Sequence, residues 1–179
     1  MGVIRPKPKP APREKTARKR QKTSRQKLIA ELSNLCREIT SWRDGCTCVL
    51  SGVDGGRCNN VSQWGHVIPQ GGSSYLRHSL SNSFRQCASH NIIHDKINPL
   101  MYINWYRHKF GSKALDMLEM ESLKPHHKIT IPELWQMRDN LRHLLEMRHA
   151  MNGATIEQLV GAGYYGDIIR EAWIKEGRI

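Results

Sequence analysis

The stretch from residue 46 to residue 98 limits the fold of this chain more than any other part. It is rich in Gly, Ser, Asn, Cys and His, and its apolar pieces are as short as "CVL" and "HVIP". A segment so long with so little to bury cannot close a conventional core, and a bound metal ion is the usual substitute. Four of the five cysteines (Cys46, Cys48, Cys58, Cys87) fall inside it, and Cys36 precedes it. An odd count in a chain with no secretory leader argues against a disulfide framework. Cys87 and His90 form a Cys-x-x-His pair, whose turn lets both side chains reach one tetrahedral Zn²⁺. The other two ligands must come from upstream, where three cysteines compete for two places. A knuckle written Cys-Val-x-Cys-Gly from Cys48 would need a cysteine at position 51, and Ser51 is a poor zinc ligand. Cys58, reached through "GVDGGRC", takes that place. The expected set is therefore Cys48, Cys58, Cys87 and His90. Cys46 is in reserve, because Cys-x-Cys can also clasp one metal. Reduced, buried thiols are the competing reading, but the polar surroundings offer them little apolar core to join.

Both flanks turn helical. Leu28, Ile29, Leu32, Leu35, Cys36 and Ile39 recur at spacings of three and four, one apolar face of a helix over 24–42 that Gly45 breaks. Cys36 lies on that face and reads as core. After Pro99, "LMYINWYRHKFG" and "SKALDMLEMESL" read as helices. Thr130, Pro132 and Glu133 then mark a capped helix start whose face is Leu134, Met137, Leu141, Leu144 and Leu145, with Gly153 as its end. The tail reads as helix, Gly-rich turn, helix. Its charges nearly cancel, which favours packing or dimer contact over a DNA-reading role. The chain divides into a disordered basic arm (1–27), an N-terminal helix (28–44), a core (45–122) and a C-terminal helical region (123–179). Its 179 residues suffice for one core of ordinary size.

Charge is concentrated at one end. Residues 1–27 hold eleven Lys or Arg against Glu14, +10 of the net +12. Alternating Pro and Lys in "RPKPKP" disfavour helix and leave an extended chain suited to phosphates, or simply to keeping the protein in solution. The same prolines spoil the amphipathic helix a transit peptide would need. No run approaches the ~18 apolar residues of a membrane span, so a cytoplasmic compartment is the default expectation.

His66 stands between the two halves of the cysteine cluster, Asn82 five residues before Cys87, and Asn91 directly after His90. "QWGH", then "LR", then N-x4-C-x-x-H-N and a further histidine resembles an HNH (ββα-metal) endonuclease, and looks most like the phage NinG/Rap recombination nucleases. The likeness covers residues 44–118. It implies an α+β fold, a small zinc-stabilised ββα-metal core flanked by N-terminal and C-terminal helices. It implies hydrolysis of DNA phosphodiesters with Mg²⁺ or Mn²⁺, on branched intermediates such as Holliday junctions or D-loops, leaving 3′-hydroxyl and 5′-phosphate ends. Such chemistry needs a water made nucleophilic and a cation beside the phosphate. A histidine titrating near neutrality suits the base, and the resemblance gives that role to His66. It has Asn82 orient the ring. Asn91 and His94, three residues apart on one helix face, would hold the catalytic ion. The acid that often precedes the base is Gly65 here, which leaves Asp95 as a further candidate ligand. Arg77, Arg85, Lys96 and Arg107 surround the motif as DNA contacts. Trp64, Tyr75, Trp105 and Tyr106 either stack on unpaired bases or pack. His78, His108, His126, His127, His143 and His149 read as surface or helix residues. Paired cuts on a junction would suit a homodimer. A non-catalytic zinc-finger DNA-binding protein is the competing reading, and RNA as substrate is a third.

Overall fold

A computed structural model describes residues 23–45, 47–53, 58–59, 63–69, 74–96, 98–124 and 128–179, the side chains of 93–96 excepted. Most of the basic arm, Cys46, His126 and His127, and the side chains of His94, Asp95 and Lys96, lie outside those described residues.

The described part is mostly helical, with one small sheet. Helix α1 spans Ser24–Arg43, so the boundary drawn at residue 28 falls one turn inside it. Its start is a capping box: Thr23 accepts from the Gln26 N–H while the Gln26 side chain accepts from the Thr23 N–H. Strands β1 (Gln63–His66) and β2 (Ser83–Gln86) pair antiparallel, with Gly65 opposite Phe84 and His66 opposite Ser83. A 3₁₀ turn at Leu76–His78 lies in the long connection between them. Helix α2 (Ala88–Lys96) follows β2 at once, giving the order strand, loop, strand, helix. Helices α3 (Pro99–Phe110) and α4 (Ser112–Leu123) come next, hinged at Gly111 with φ +94°. Helix α5 (Ile131–Met147) carries the expected capping box of Thr130 and Glu133. It ends at Met147, six residues short of Gly153: turns, not helix, cover 148–153. Short helices α6 (Ile156–Gly161) and α7 (Asp167–Lys175) complete the chain.

Two apolar clusters form. In the first, Leu50, Val67, Leu76 and Phe84 from the polar stretch meet Tyr102, Tyr106 and Phe110 of α3, Leu115 and Leu118 of α4, and Ile169 and Trp173 of α7. The metal-ligand region therefore does not stand alone: the C-terminal helices supply part of its core. In the second, Leu28, Leu32, Cys36 and Ile39 of α1 pack on Leu134, Leu141 and Leu145 of α5, with Leu80 and Tyr164. Cys36 is core as expected; burial pushes its thiol up to about 12.

Arg43 joins the two clusters. Its side chain is wholly buried and donates to the carbonyls of Leu80, Tyr164 and Ser83 at 3.1, 3.1 and 2.8 Å and to Asp44 at 2.6 Å. The Asp44 carboxylate accepts in turn from the Arg85 N–H at 2.8 Å, tying the end of α1 to β2. The Arg43 guanidinium also lies 4.5 Å over the rings of both Phe84 and Tyr165. Gly166, at φ +79°, lets the turn before α7 approach Ser81 so closely that a Cβ there would overlap its backbone.

Candidate metal centre and active site

Three loops converge on His90. Its Nδ1 lies 3.3 Å from Cys48 Sγ, 3.5 Å from Cys58 Sγ and 3.3 Å from Cys87 Sγ. All four ligand atoms lie within 4.8 Å of one another. Tetrahedral zinc with ordinary Zn–S and Zn–N bonds separates sulfur from nitrogen by about 3.5 Å, so the set fits that ion. Cys87 closes β2, and His90 sits in the first turn of α2, which gives the Cys-x-x-His spacing. The Cys87 sulfur also accepts from the His90 N–H at 3.3 Å. Cys48 is placed by the Val49 N–H, which donates to the Arg85 carbonyl at 3.0 Å and lays the knuckle along β2. Cys58 is the exposed member. Burial raises the Cys48 thiol to about 12; three thiols this close ionise together only around a cation. The Cys₃His cluster can thus hold a structural metal such as zinc, with the four ligands expected from the spacing.

His66 ends β1 and is 7% exposed. Its Nε2 donates to the Arg77 carbonyl at 3.1 Å, which fixes the tautomer and leaves Nδ1 as the lone-pair nitrogen. The Trp64 ring meets its edge at 4.4 Å. Burial first, and then the cations of Arg77 and Arg37, lower its pKa to about 4, so the ring is neutral at physiological pH. Asn82 is fully buried and is spent on the loop backbone. It accepts from the Ile68 N–H at 2.7 Å and donates to the carbonyls of Ile68 and Leu76 at 2.9 and 3.2 Å. Its own carbonyl accepts from the Val67 N–H at 2.9 Å. Both amide hydrogens are thus used on backbone carbonyls, not on the His66 ring.

Asn91 lies in the first turn of α2, its N–H bonded to the Cys87 carbonyl at 3.0 Å, and its Oδ1 points towards Gly65. Of the expected DNA contacts, Arg77 and Arg107 are exposed. Arg85 is half-buried and donates to the Ser41 hydroxyl of α1, so its guanidinium is part of the scaffold. Among the aromatic residues, Tyr106 is fully buried and meets the Phe84 and Phe110 rings at 5.9 and 5.0 Å. Trp105 packs 5.0 Å from Phe84. Both belong to the core. His78, read from sequence as a surface or helix residue, is buried: its Nε2 contacts the Ser33 hydroxyl at 3.1 Å, and burial lowers its pKa to about 4. Nothing local in "LRHSL" signalled this, because α1 covers it from forty-five residues away.

Among the described residues no helix is long and apolar enough to cross a membrane. No curated protein and no solved structure matches the chain. The profile of the NinG family, described as bacteriophage lambda NinG protein, matches residues 5–152. That span takes in most of the basic arm, α1, the whole Cys₃His cluster, His66, Asn82 and Asn91, and runs through α5. The chain belongs to the bacteriophage lambda NinG family.

Proposed function

We propose that the chain is a divalent-metal-dependent endonuclease of the HNH (ββα-metal) type. Its substrate is DNA, and branched recombination intermediates are the substrate class. One observation carries the reading. A neutral imidazole, His66, is locked through Nε2 at the end of the first strand of a strand–loop–strand–helix unit whose second strand and helix are joined by a metal-ligand pair.

His66 Nδ1 takes a proton from water as that water attacks the phosphodiester. The Arg77 carbonyl holds the ring against rotation and favours the imidazolium that forms by accepting from Nε2–H. Asn82 ties Ile68 to Leu76, the neighbour of Arg77, and so steadies that carbonyl. Asn91 and His94 are the residues that would hold a Mg²⁺ or Mn²⁺ ion, which, when bound, neutralises charge on the phosphate and the leaving oxygen. Arg77, Arg107, Lys96 and the basic arm neutralise flanking phosphates. A homodimer would deliver the paired cuts a four-way junction needs.

The test is nicking of supercoiled plasmid, and cleavage of junction against linear duplex and RNA, with Mg²⁺ or Mn²⁺. Wild type should cut. His66→Ala should not, while keeping its fold and its zinc. Absence of cleavage on every substrate with either ion would overturn the reading. The burial of His66 favours the second reading, a zinc-stabilised DNA-binding protein without catalysis, in which His66 is only a packed ring. That reading predicts DNA binding by wild type and His66→Ala alike, with no activity in either.

A further inference from the structure

Gln86, the last residue of β2, is fully buried, and among the described residues neither its Oε1 nor its Nε2 has a hydrogen-bond partner. Folded chains rarely leave a buried carboxamide unpaired at both ends; an ion or water generally answers it. The amide sits directly against Gly65. Strand alternation puts Gln86 on the same sheet face as Gly65, two residues along from Phe84, the register partner of Gly65. A Cβ built on Gly65 would overlap the Gln86 amide and lie 3.1 Å from Asn91 Oδ1. Two carboxamide oxygens therefore converge on the space that a side chain at position 65 would fill, one residue before His66.

We propose that Gln86 and Asn91 are oxygen ligands of a hard divalent cation, Gln86 standing in for the side chain that Gly65 lacks. This rests on the endonuclease reading only for the use to which the ion is put. The glycine is then required: any larger residue would displace the amide. Both ligands are neutral, so they bind a dication weakly on their own. The anionic oxygens of a bound phosphodiester strengthen the hold, so the ion and DNA bind cooperatively. The Cys₃His cluster sets the geometry, because Gln86 immediately precedes Cys87 and Asn91 immediately follows His90.

The experiment is Mn²⁺ titration, read from the loss of the free-ion electron paramagnetic resonance signal. It uses full-length zinc-loaded protein bearing His66→Ala to prevent cleavage, with and without duplex DNA. DNA should tighten Mn²⁺ binding at least tenfold. Gln86→Met, similar in volume but without the oxygen, should weaken Mn²⁺ binding to the DNA complex about tenfold while zinc content and melting temperature hold or rise. Gln86→Glu should tighten Mn²⁺ binding in the absence of DNA and reduce the gain that DNA brings. Mn²⁺ binding by Gln86→Met and Gln86→Glu equal to that of the parent would overturn the proposal and assign the orphaned amide to a buried water. If Gln86→Met fails to fold, Gln86→Glu decides alone. Because the readout is ion binding, cleavage by wild type with no effect at Gln86 refutes only this inference. Ion binding that depends on Gln86, in a protein that cuts nothing, refutes only the endonuclease reading.

Discussion

His66 shows how one side chain can be tuned by its surroundings alone. Ordinary imidazole titrates near 6.5, whereas burial and two nearby arginines bring this one to about 4. The sign matters for a base: a lowered pKa keeps the ring unprotonated, and so competent, down to about pH 5. The kcat/KM for nicking should therefore stay flat between pH 8 and pH 5.5, where a solvated histidine would already have fallen about tenfold. A falling limb centred near pH 6.5 would assign the role to an ordinary exposed histidine instead. The candidate site was legible to unequal degrees at this scale. Cys48, Cys58, Cys87 and His90 could be chosen from spacing because metal coordination imposes strict stereochemistry on short turns. The Arg77 carbonyl on His66 could not, because any backbone carbonyl looks the same in a sequence. Nor could Gln86, which reads as an ordinary polar residue until the register brings it against Gly65.

The elements are held by a few buried polar side chains that bridge distant carbonyls. Asn82 makes three bonds across the connection between β1 and β2. Asn82→Ala should cost about 2–4 kcal/mol of stability, since each orphaned backbone group is left without its partner. It should also reduce nicking beyond what the fraction unfolded explains, because the Arg77 carbonyl loosens with the loop; urea titration and plasmid nicking measure the two effects separately. A variant as stable and active as wild type would show that the loop holds itself. Arg43 has a comparable role between α1, β2 and the turn before α7. Arg43→Met should cost roughly 3–5 kcal/mol, as Asp44 is left buried without its partner, and should be seen as a lower urea midpoint. Helix existence was legible in the sequence: α1 from its apolar face at spacings of three and four, and α5 from the box at Thr130, which is written in local residue types. The end of α5 was less so: Gly153 suggested it, but α5 stops at Met147 and a series of turns follows. Arg43 looked like one more basic residue near a helix end. Its partners lie 37, 40 and 121 positions away, which no local pattern encodes.

At the scale of the whole molecule, helix α7 packs on the apolar cluster that residues before 122 build. Trp173 of α7 is buried beside Phe110 and donates from Nε1 to the Phe110 carbonyl at 2.9 Å. Long-range pairings of this kind are invisible to periodicity, which reports only that α7 has an apolar face. Charge, by contrast, was legible at once. Deleting residues 1–22, with nine Lys or Arg against Glu14, should weaken DNA binding and flatten its dependence on salt, since each phosphate the arm no longer neutralises takes about 0.9 off the log–log slope. An unchanged slope in a filter-binding salt series would make the arm a solubilising tail. The metal centre tests the architecture most directly. A metal held by the cluster would fasten the knuckle at Cys48, the exposed Cys58 and the β2–α2 junction, whereas the α1–α5 pair is held by its own apolar cluster. Removing zinc with a strong chelator should therefore not unfold the chain uniformly. Amide exchange should accelerate most at the β2–α2 junction and in α2, which the metal–ligand bonds would fasten, and less at Phe84 of β2, which the aromatic core also holds, while α1 and α5 keep their protection. Cys58→Ser should reproduce the pattern with metal present and bring bound zinc below one ion per chain. Arg43 and Asp44 run between the two halves, so some loss of protection should reach the last turn of α1. Uniform loss across all helices would mean that the metal holds a single cooperative unit. No change at β2 and α2 would mean that the Cys₃His set is held by packing alone.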